Sequence, residues 1–411
     1  MDIRPIISTL MRHKIAASLI VLEIALSCAI VCNALFLIGG RLDRMNRTSG
    51  LDEDRLVRVS VNGIAENKDA HAITRGDIAA LRAIPGVRAV TSTNQVTFGN
   101  SSWNSGVRLE REQTHENASV TTYMGGSDLV ETLGVNLVAG RNFLPDEIIE
   151  WEALQEPGSE GNLPSVIVTR DVAEKLFPGQ DPLGKPFYSW GDEPHRIIGV
   201  IDHLAKTNDR GPAAEYEYAV ILPIETSYEL GGNYLLRVDD PARRDEVLKA
   251  AMKVLETSGP TRIIDTEDSK TLEEMRRDFY RQDRAMAWML VAVIVALLVV
   301  TALGIVGLAS FWVQQRTKQI GIRRALGATR GQILRYFQTE NFLLASIGIA
   351  LGMLLAYGIN QLLMGRYELP RLPLLYLPVG AVVLWLLGQV AVFWPARRAA
   401  AVPPALATRS V

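Results

Sequence analysis

The chain has 411 residues, 48% of them apolar and 21% charged, with a formal net charge of −2. That length suits a few domains, and the balanced charge removes any electrostatic basis for binding nucleic acid. What decides the class is that the apolar residues are gathered rather than spread.

Four segments are almost free of charge: Ile15–Ile38, Ala285–Val313, Asn341–Met364 and Leu372–Ala396. A helix needs roughly 20 apolar residues to cross a hydrocarbon core of ~30 Å, and each run is long enough. The expected architecture is a membrane α-helical protein with four transmembrane helices, at 15–40, 284–315, 341–364 and 372–396. A mixed α/β extracytoplasmic domain at 41–283 is inserted between helices 1 and 2, and 365–371 is a short loop on the same side. Residues 1–14, 316–340 and 397–411 fall on the opposite side.

Arg4, Arg12 and Lys14 precede the first run, as in a secretory leader. Its apolar region exceeds the roughly 7–15 residues of a leader's core, and no small-residue cleavage site follows, so it reads as a retained anchor. The chain's 2 cysteines, Cys28 and Cys32, stand one turn apart inside it. Two thiols lack the other ligands that zinc requires, which leaves them as small packing residues. Glu23 lies ~12 Å into the span at ~1.5 Å per residue, with Ser27 and Asn33 deeper. A carboxylate at that depth is costly and should face a bundle interior or a watery cavity. Either an interhelical hydrogen bond or a role in substrate handling or coupling fits, and Asn360 and Gln389 take the first reading.

In the large domain, Val57, Val59 and Val61 alternate with polar residues as on a half-buried strand. Ile78, Leu81 and Ile84 line a helix face that stops at Pro85-Gly86. Strands are predicted at 164–169, 196–201 and 234–238, with helices over Val172–Leu176 and Pro241–Glu256 and a loop-prone insert near Glu150–Asn162. The stretch GQDPLGKP, from Gly179 to Pro186, is one residue short of a phosphate-binding loop. Such a loop needs a strand before it, a helix after it, and a hydroxyl following the lysine. Here a helix precedes, and Pro186 supplies neither hydroxyl nor N–H, so the stretch reads as a stiff turn.

Just before the second span, Leu272, Met275, Phe279 and Met286 recur at helical spacing among charges, predicting an amphipathic stalk that runs unbroken into the membrane. The second run would measure about 45 Å as a helix and must tilt or project. Gly304 and Gly307, and Gly348 and Gly352, permit close helix contact. Between spans two and three, Ile320, Ile322, Leu326, Ile333, Leu334 and Phe337 supply apolar residues, Arg316, Arg323, Arg324, Arg330 and Arg335 supply charge, and Gly327–Gly331 forms a turn. This is either an amphipathic connector on anionic headgroups or a docking helix that enters a groove on a partner. His71, His115, His195 and His203 are scattered, with no matching cysteine or carboxylate pattern, so neither a metal site nor a catalytic constellation is expected. Basic residues flank both faces of the membrane, so charge bias favours internal termini by a narrow margin.

The stretches LVETLGVNLVAGRNFLPDE, PSVIVTRDVAEKLFPGQDPLGKPFY and HRIIGVIDH resemble the periplasmic core domain of MacB-type ABC transporter permeases. The segment QQRTKQIGIRRALGATRGQILRYF resembles the FtsX-family coupling helix, and FWPARRAAAVPPALATR its ending. Gln319 stands where that family usually has an acidic residue, so a salt bridge from that position is absent. The resemblance implies that Arg316, Gln319, Ile320, Gly321, Ile322, Arg323, Arg324, Leu326, Gly327, Ala328 and Ile333 contact a cytoplasmic ABC ATPase. It places the chain in a bacterial inner membrane, with both termini cytoplasmic and the large domain periplasmic.

It further implies a non-catalytic permease that binds no cofactor itself, ATP and Mg being held by two copies of a separate ATPase. The permease would pair with a second permease and transmit motion to its outer domain. Efflux of a drug, peptide or other small amphipathic molecule, through a periplasmic adaptor and outer-membrane channel, is the leading expectation. Transmembrane signal relay to a periplasmic hydrolase or sensor, and lipoprotein release, are the alternatives.

Overall fold

The computed structural model describes residues 14–64, 69–99, 101–155, 163–191, 193–208, 213–367 and 371–401. Arg4, Arg12, Arg409, Asn100, residues 156–162 of the expected insert and the ending at 402–411 lie outside the described residues. The chain forms two compact units, Arg47–Arg281 and the remainder.

The extramembrane unit runs β1 (Leu56–Gly63), α1 (Ala70–Arg82), β2 (Val87–Thr93), β3 (Asn104–Val107), β4 (Ala118–Met124), α2 (Leu129–Leu133), β5 (Leu137–Gly140) and β6 (Ile149–Glu150). It continues through β7 (Ser165–Thr169), α3 (Arg170–Leu176), β8 (Pro186–Phe187), β9 (His195–Ile201), β10 (Ala219–Leu222) and β11 (Ile224–Glu225). Then come β12 (Asn233–Val238), α4 (Arg244–Thr257), β13 (Arg262–Thr271) and α5 (Leu272–Phe279). Its first and last thirds form one antiparallel sheet in the order β13-β1-β12-β2, with α1 and α4 as the two crossovers. That is the split β-α-β, ferredoxin-like arrangement. Everything from β3 to β11 is an insertion between its halves, centred on a mixed sheet in the order β3-β4-β10-β7-β9-β5.

Two cores follow. Val57, Val59, Val61 and Leu236 pack on Leu81 of α1 and on Val247, Ala251 and Leu255 of α4. Val120, Val166, Val168, Ile197, Val200 and Val220 enclose Val172 and Leu176 of α3. β1 departs from the half-buried pattern expected of it, because its polar positions are covered too. The Arg58 side chain donates from Nε to Asn233 Oδ1 at 2.7 Å, and Ser269 Oγ accepts from the Ser60 N–H. Alternation marks a strand but does not say whether its polar face meets water or a second layer. Burial draws the Arg58 guanidinium below its ordinary pKa. Within the helical layer, Asp77 of α1 is paired with Arg262 of β13, both side chains nearly inaccessible, and Tyr234 donates to Asp77 Oδ2 at 2.5 Å.

GQDPLGKP is a turn, as its prolines indicate. Gly179 and Gly184 take φ +66° and +75°, where a side chain would be strained. The Gly184 N–H donates to Ile197 O at 2.8 Å and the Lys185 N–H to Pro182 O at 3.1 Å. These amides turn onto the chain itself.

α5 is capped by Thr271 and Glu274, whose side chains each accept from the other's N–H at 3.2 Å. The expected unbroken stalk is interrupted: α5 ends at Phe279, Tyr280 turns out of helical geometry, and the next helix starts at Arg281. Aromatic packing accounts for the break, since Tyr280 is buried edge-on against Phe279 and Phe98, with centroids 4.9 and 6.0 Å away.

Among the described residues, the membrane unit holds 4 helices long and apolar enough to cross a bilayer: Lys14–Met45, Arg281–Gln315, Arg330–Tyr367 and Tyr376–Ala400. The third starts at Arg330 rather than Asn341, so the second half of the expected loop is helix. The fourth starts at Tyr376 rather than Leu372, whose N–H instead donates to Asn360 Oδ1 at 2.9 Å. The first span packs against the third and fourth, while the second buries Thr301, Ile305, Ala309 and Trp312 against the bundle.

Candidate functional site

The functional residues predicted from the sequence fall in two places, a corner between the second and third spans and a polar line along the first. The corner begins at Arg316, which ends the second helix. A short helix, α6 (Thr317–Ala325), follows directly. Leu326 and Gly327 then close it: the Gly327 N–H donates to Arg324 O at 3.1 Å and the Ala328 N–H to Arg323 O at 3.0 Å. This is a Schellman cap, and it needs the left-handed φ of +97° that Gly327 supplies. The third span starts at once with a second cap, Thr329 Oγ1 accepting from the Gln332 N–H at 3.2 Å while Gln332 Oε1 accepts from the Thr329 N–H at 2.9 Å. Two caps back to back make the corner stiff.

The apolar residues of the corner, all expected to enter a partner's groove, divide into two sets. Ile320, Gly321, Ile333 and Phe337 are buried, and Ile320, Ile333 and Phe337 pack on Ala396, Ala399 and Ala400 at the end of the fourth span. They hold the corner to its own chain and are not available to a partner. Ile322 and Leu326 face outward, Leu326 being 83% exposed. Arg316 also turns inward: its guanidinium meets both carboxylate oxygens of the buried Glu340 at 2.9 and 3.0 Å and lies over Trp312. A charge this buried requires such a partner. Gln319, Arg323 and Gly327 are exposed, Arg324 and Ala328 half-buried, and Arg323 lies over the Tyr336 ring at 5.1 Å. The exposed residues of the corner include Gln319, Ile322, Arg323 and Leu326, together with the basic Lys318, Arg330 and Arg335.

Along the first span, Ser27 and Thr301 share a hydrogen bond of 2.8 Å with the second span. Asn33 donates to Ala29 O of its own helix at 2.9 Å and to Ala356 O of the third span at 3.3 Å. Gln389 donates to Gln338 O at 3.3 Å, joining the third and fourth spans. Ser27, Asn33 and Gln389 thus act as interhelical ties, which satisfies polar groups that lipid cannot. Glu23 differs: its carboxylate lies against Gly304, where a Cβ would stand 2.5 Å from both oxygens. Gly304 is what makes room for it. A Cβ on Gly348 would stand 2.9 Å from Ile24 Cβ, and one on Gly352 2.5 Å from Cys28 Cβ, so the first and third spans approach through both glycines. Gly307 departs from the expectation, since nothing lies within 4 Å of its Cβ position.

The family described as MacB-like periplasmic core domain matches residues 17–254, and that described as FtsX-like permease C-terminal matches residues 291–404. The chain belongs to the MacB/FtsX-type ABC transporter permeases. It is 27% identical over 72% of its length to an Agrobacterium fabrum protein named "Macrolide export ATP-binding/permease protein MacB", of which the match covers 44%. Relative to such curated MacB relatives, the chain spans about half their length. With the "Uncharacterized ABC transporter permease YknZ" of Bacillus subtilis it shares 25% identity over 99% of this chain and 98% of that one. Among solved structures it matches the periplasmic region of MacB from Actinobacillus actinomycetemcomitans with a TM-score of 0.34 and 15% identity, over 57% of this chain and 97% of that one.

Proposed function

We propose that this chain is the permease subunit of an ABC system in which a separate cytoplasmic ATPase hydrolyses ATP and the outer domain is reshaped in response. The observation that carries the proposal is Leu326, a large apolar side chain left in the open on a corner fixed by two caps. An exposed leucine alone means little. One on a capped corner that also exposes Ile322 and the basic Lys318, Arg323, Arg330 and Arg335 has the composition of a small docking knob with a charged rim. The match to a relative named as an ABC transporter permease supports the permease role. On this reading both termini are cytoplasmic, the membrane is a bacterial inner membrane, and a second permease completes the assembly with two ATPases. The bundle passes the motion of the corner to the outer domain by way of the second span.

The core-domain family favours export of an amphipathic compound, through a periplasmic adaptor and an outer-membrane channel, over signal relay or lipoprotein release. The test is Leu326→Asp in the chain purified from native membranes. The variant should insert and unfold like the wild type yet lose the co-purifying ATPase, while a membrane-fusion adaptor among the retained chains supports export. Wild-type recovery of the ATPase with the aspartate in place overturns the docking assignment.

A further inference from the structure

The extramembrane unit brings together three side chains that the sequence keeps far apart. His71 lies in the first turn of α1, Glu150 ends β6 and Glu225 ends β11. One imidazole nitrogen and one carboxylate oxygen from each glutamate lie within 4.8 Å of one another.

The local folding explains the convergence. β6 and β11 form a two-stranded parallel ribbon, separate from the larger sheets, with Glu150 directly opposite Glu225. Like charges opposite each other on a ladder repel. Helix α1 runs beside this ribbon and offers it His71 and Arg75, four residues apart and so on one face. Arg75 takes one oxygen of Glu150 at 2.8 Å, which leaves the second oxygen and the whole of Glu225 for another cation.

The histidine is set for that role. Glu152, just past β6, grips His71 Nε2. Nδ1 is shut off from solvent and has no hydrogen-bond partner among the described residues. A buried ring nitrogen without a partner is costly. An imidazole held by a carboxylate on one nitrogen, with the other free, is the usual arrangement of a metal-bound histidine.

We propose that His71, Glu150 and Glu225 bind one divalent transition cation of the Zn2+ class, with Glu152 orienting the imidazole. One nitrogen and two carboxylate oxygens suit Zn2+, with a water as fourth ligand. Tetrahedral bonds of about 2.0–2.1 Å put ligand atoms about 3.4 Å apart, which small rotations of the two glutamates supply from a 4.8 Å cluster. The bound ion would fasten the start of α1 to the β6–β11 ribbon and relieve the repulsion between Glu150 and Glu225.

The test uses the full chain, without a histidine tag, in detergent after treatment with EDTA. Bound metal is measured by mass spectrometry against chelator-buffered Zn2+. The wild type should take up one Zn2+ per chain at micromolar free ion, with 1 mM Mg2+ failing to displace it, because Mg2+ demands six hard oxygen ligands. His71→Ala and Glu225→Gln should each weaken uptake at least tenfold, and His115→Ala should leave it unchanged. A saturating excess of Zn2+ should raise the wild-type Tm by roughly 5–10 °C and leave Glu225→Gln unmoved. Should His71→Ala fail to fold, Glu225→Gln decides alone, since Glu225 contributes a carboxylate rather than packing. No uptake by the wild type, or wild-type uptake by Glu225→Gln, overturns the proposal.

Discussion

The Arg316–Glu340 pair offers the sharpest test of how the corner is built, because sequence alone gives Arg316 to a partner and the structure gives it to the chain. Both side chains are nearly inaccessible, 9% and 2% exposed, and they meet through two contacts of 2.9 and 3.0 Å. Arg316→Ala would remove the guanidinium that meets both oxygens of the buried Glu340 carboxylate. Removing one member of such a pair costs about 3–5 kcal/mol, whereas exchanging both for apolar residues of similar volume is close to neutral or stabilising. At about 2–4 °C per kcal/mol, Arg316→Ala should lower the Tm of the detergent-solubilised chain by roughly 6–20 °C. The double variant Arg316→Met, Glu340→Leu should recover most of that loss. The second assay is recovery of the proposed ATPase partner with each variant. If Arg316 acts only by fixing the corner, the double variant regains the ATPase along with its stability. A double variant that is stable but no longer brings down the ATPase would refute the reasoning and return Arg316 to the partner interface.

Three further outcomes follow from particular contacts. Gly352→Ala should lower thermal stability by about 1–3 kcal/mol, since the new methyl would meet Cys28 Cβ at 2.5 Å, while Gly307→Ala should leave it unchanged in open space. Asp77→Ala should be among the most damaging single changes in the extramembrane unit, about 3–5 kcal/mol by thermal unfolding, because it leaves the buried Arg262 without its carboxylate and removes one partner of the Tyr234 hydroxyl. The Glu217 carboxylate, 2.5 Å from His203 Nδ1, raises that imidazole above its ordinary pKa. Its folded-state value thus lies above the unfolded one, so the contact contributes fully below about pH 6.5 and fades as pH rises through the folded pKa. NMR titration of His203 should show Glu217→Gln moving the midpoint down, and an unmoved midpoint would show that Glu217 is not the cause.

What the sequence made legible was whatever a single periodicity or a local breaker encodes. Long apolar runs marked the spans, Pro85-Gly86 ended α1, and the preceding helix and Pro186 argued against a phosphate loop without any coordinates. The helix from Leu272 was legible as far as its charges and apolar residues repeat. Its break at Tyr280 was not, because Tyr280 leaves the helix to reach Phe98, far away in sequence. The corner failed in the same way. Ile320, Ile322, Leu326 and Ile333 all read as one apolar set, and only the alanines of the fourth span sort the inward residues from the outward ones. The signal that had been available there was Thr329-x-x-Gln332, a capping pattern that marks the start of the third span earlier than hydropathy does. His71 is the extreme instance: its partners arrive on a two-residue ribbon formed by segments with no periodicity to announce them. A residue type becomes a site only when the fold decides what stands opposite it. For that reason Leu326, which no described residue covers, says more about a partner than the longer motif that contains it.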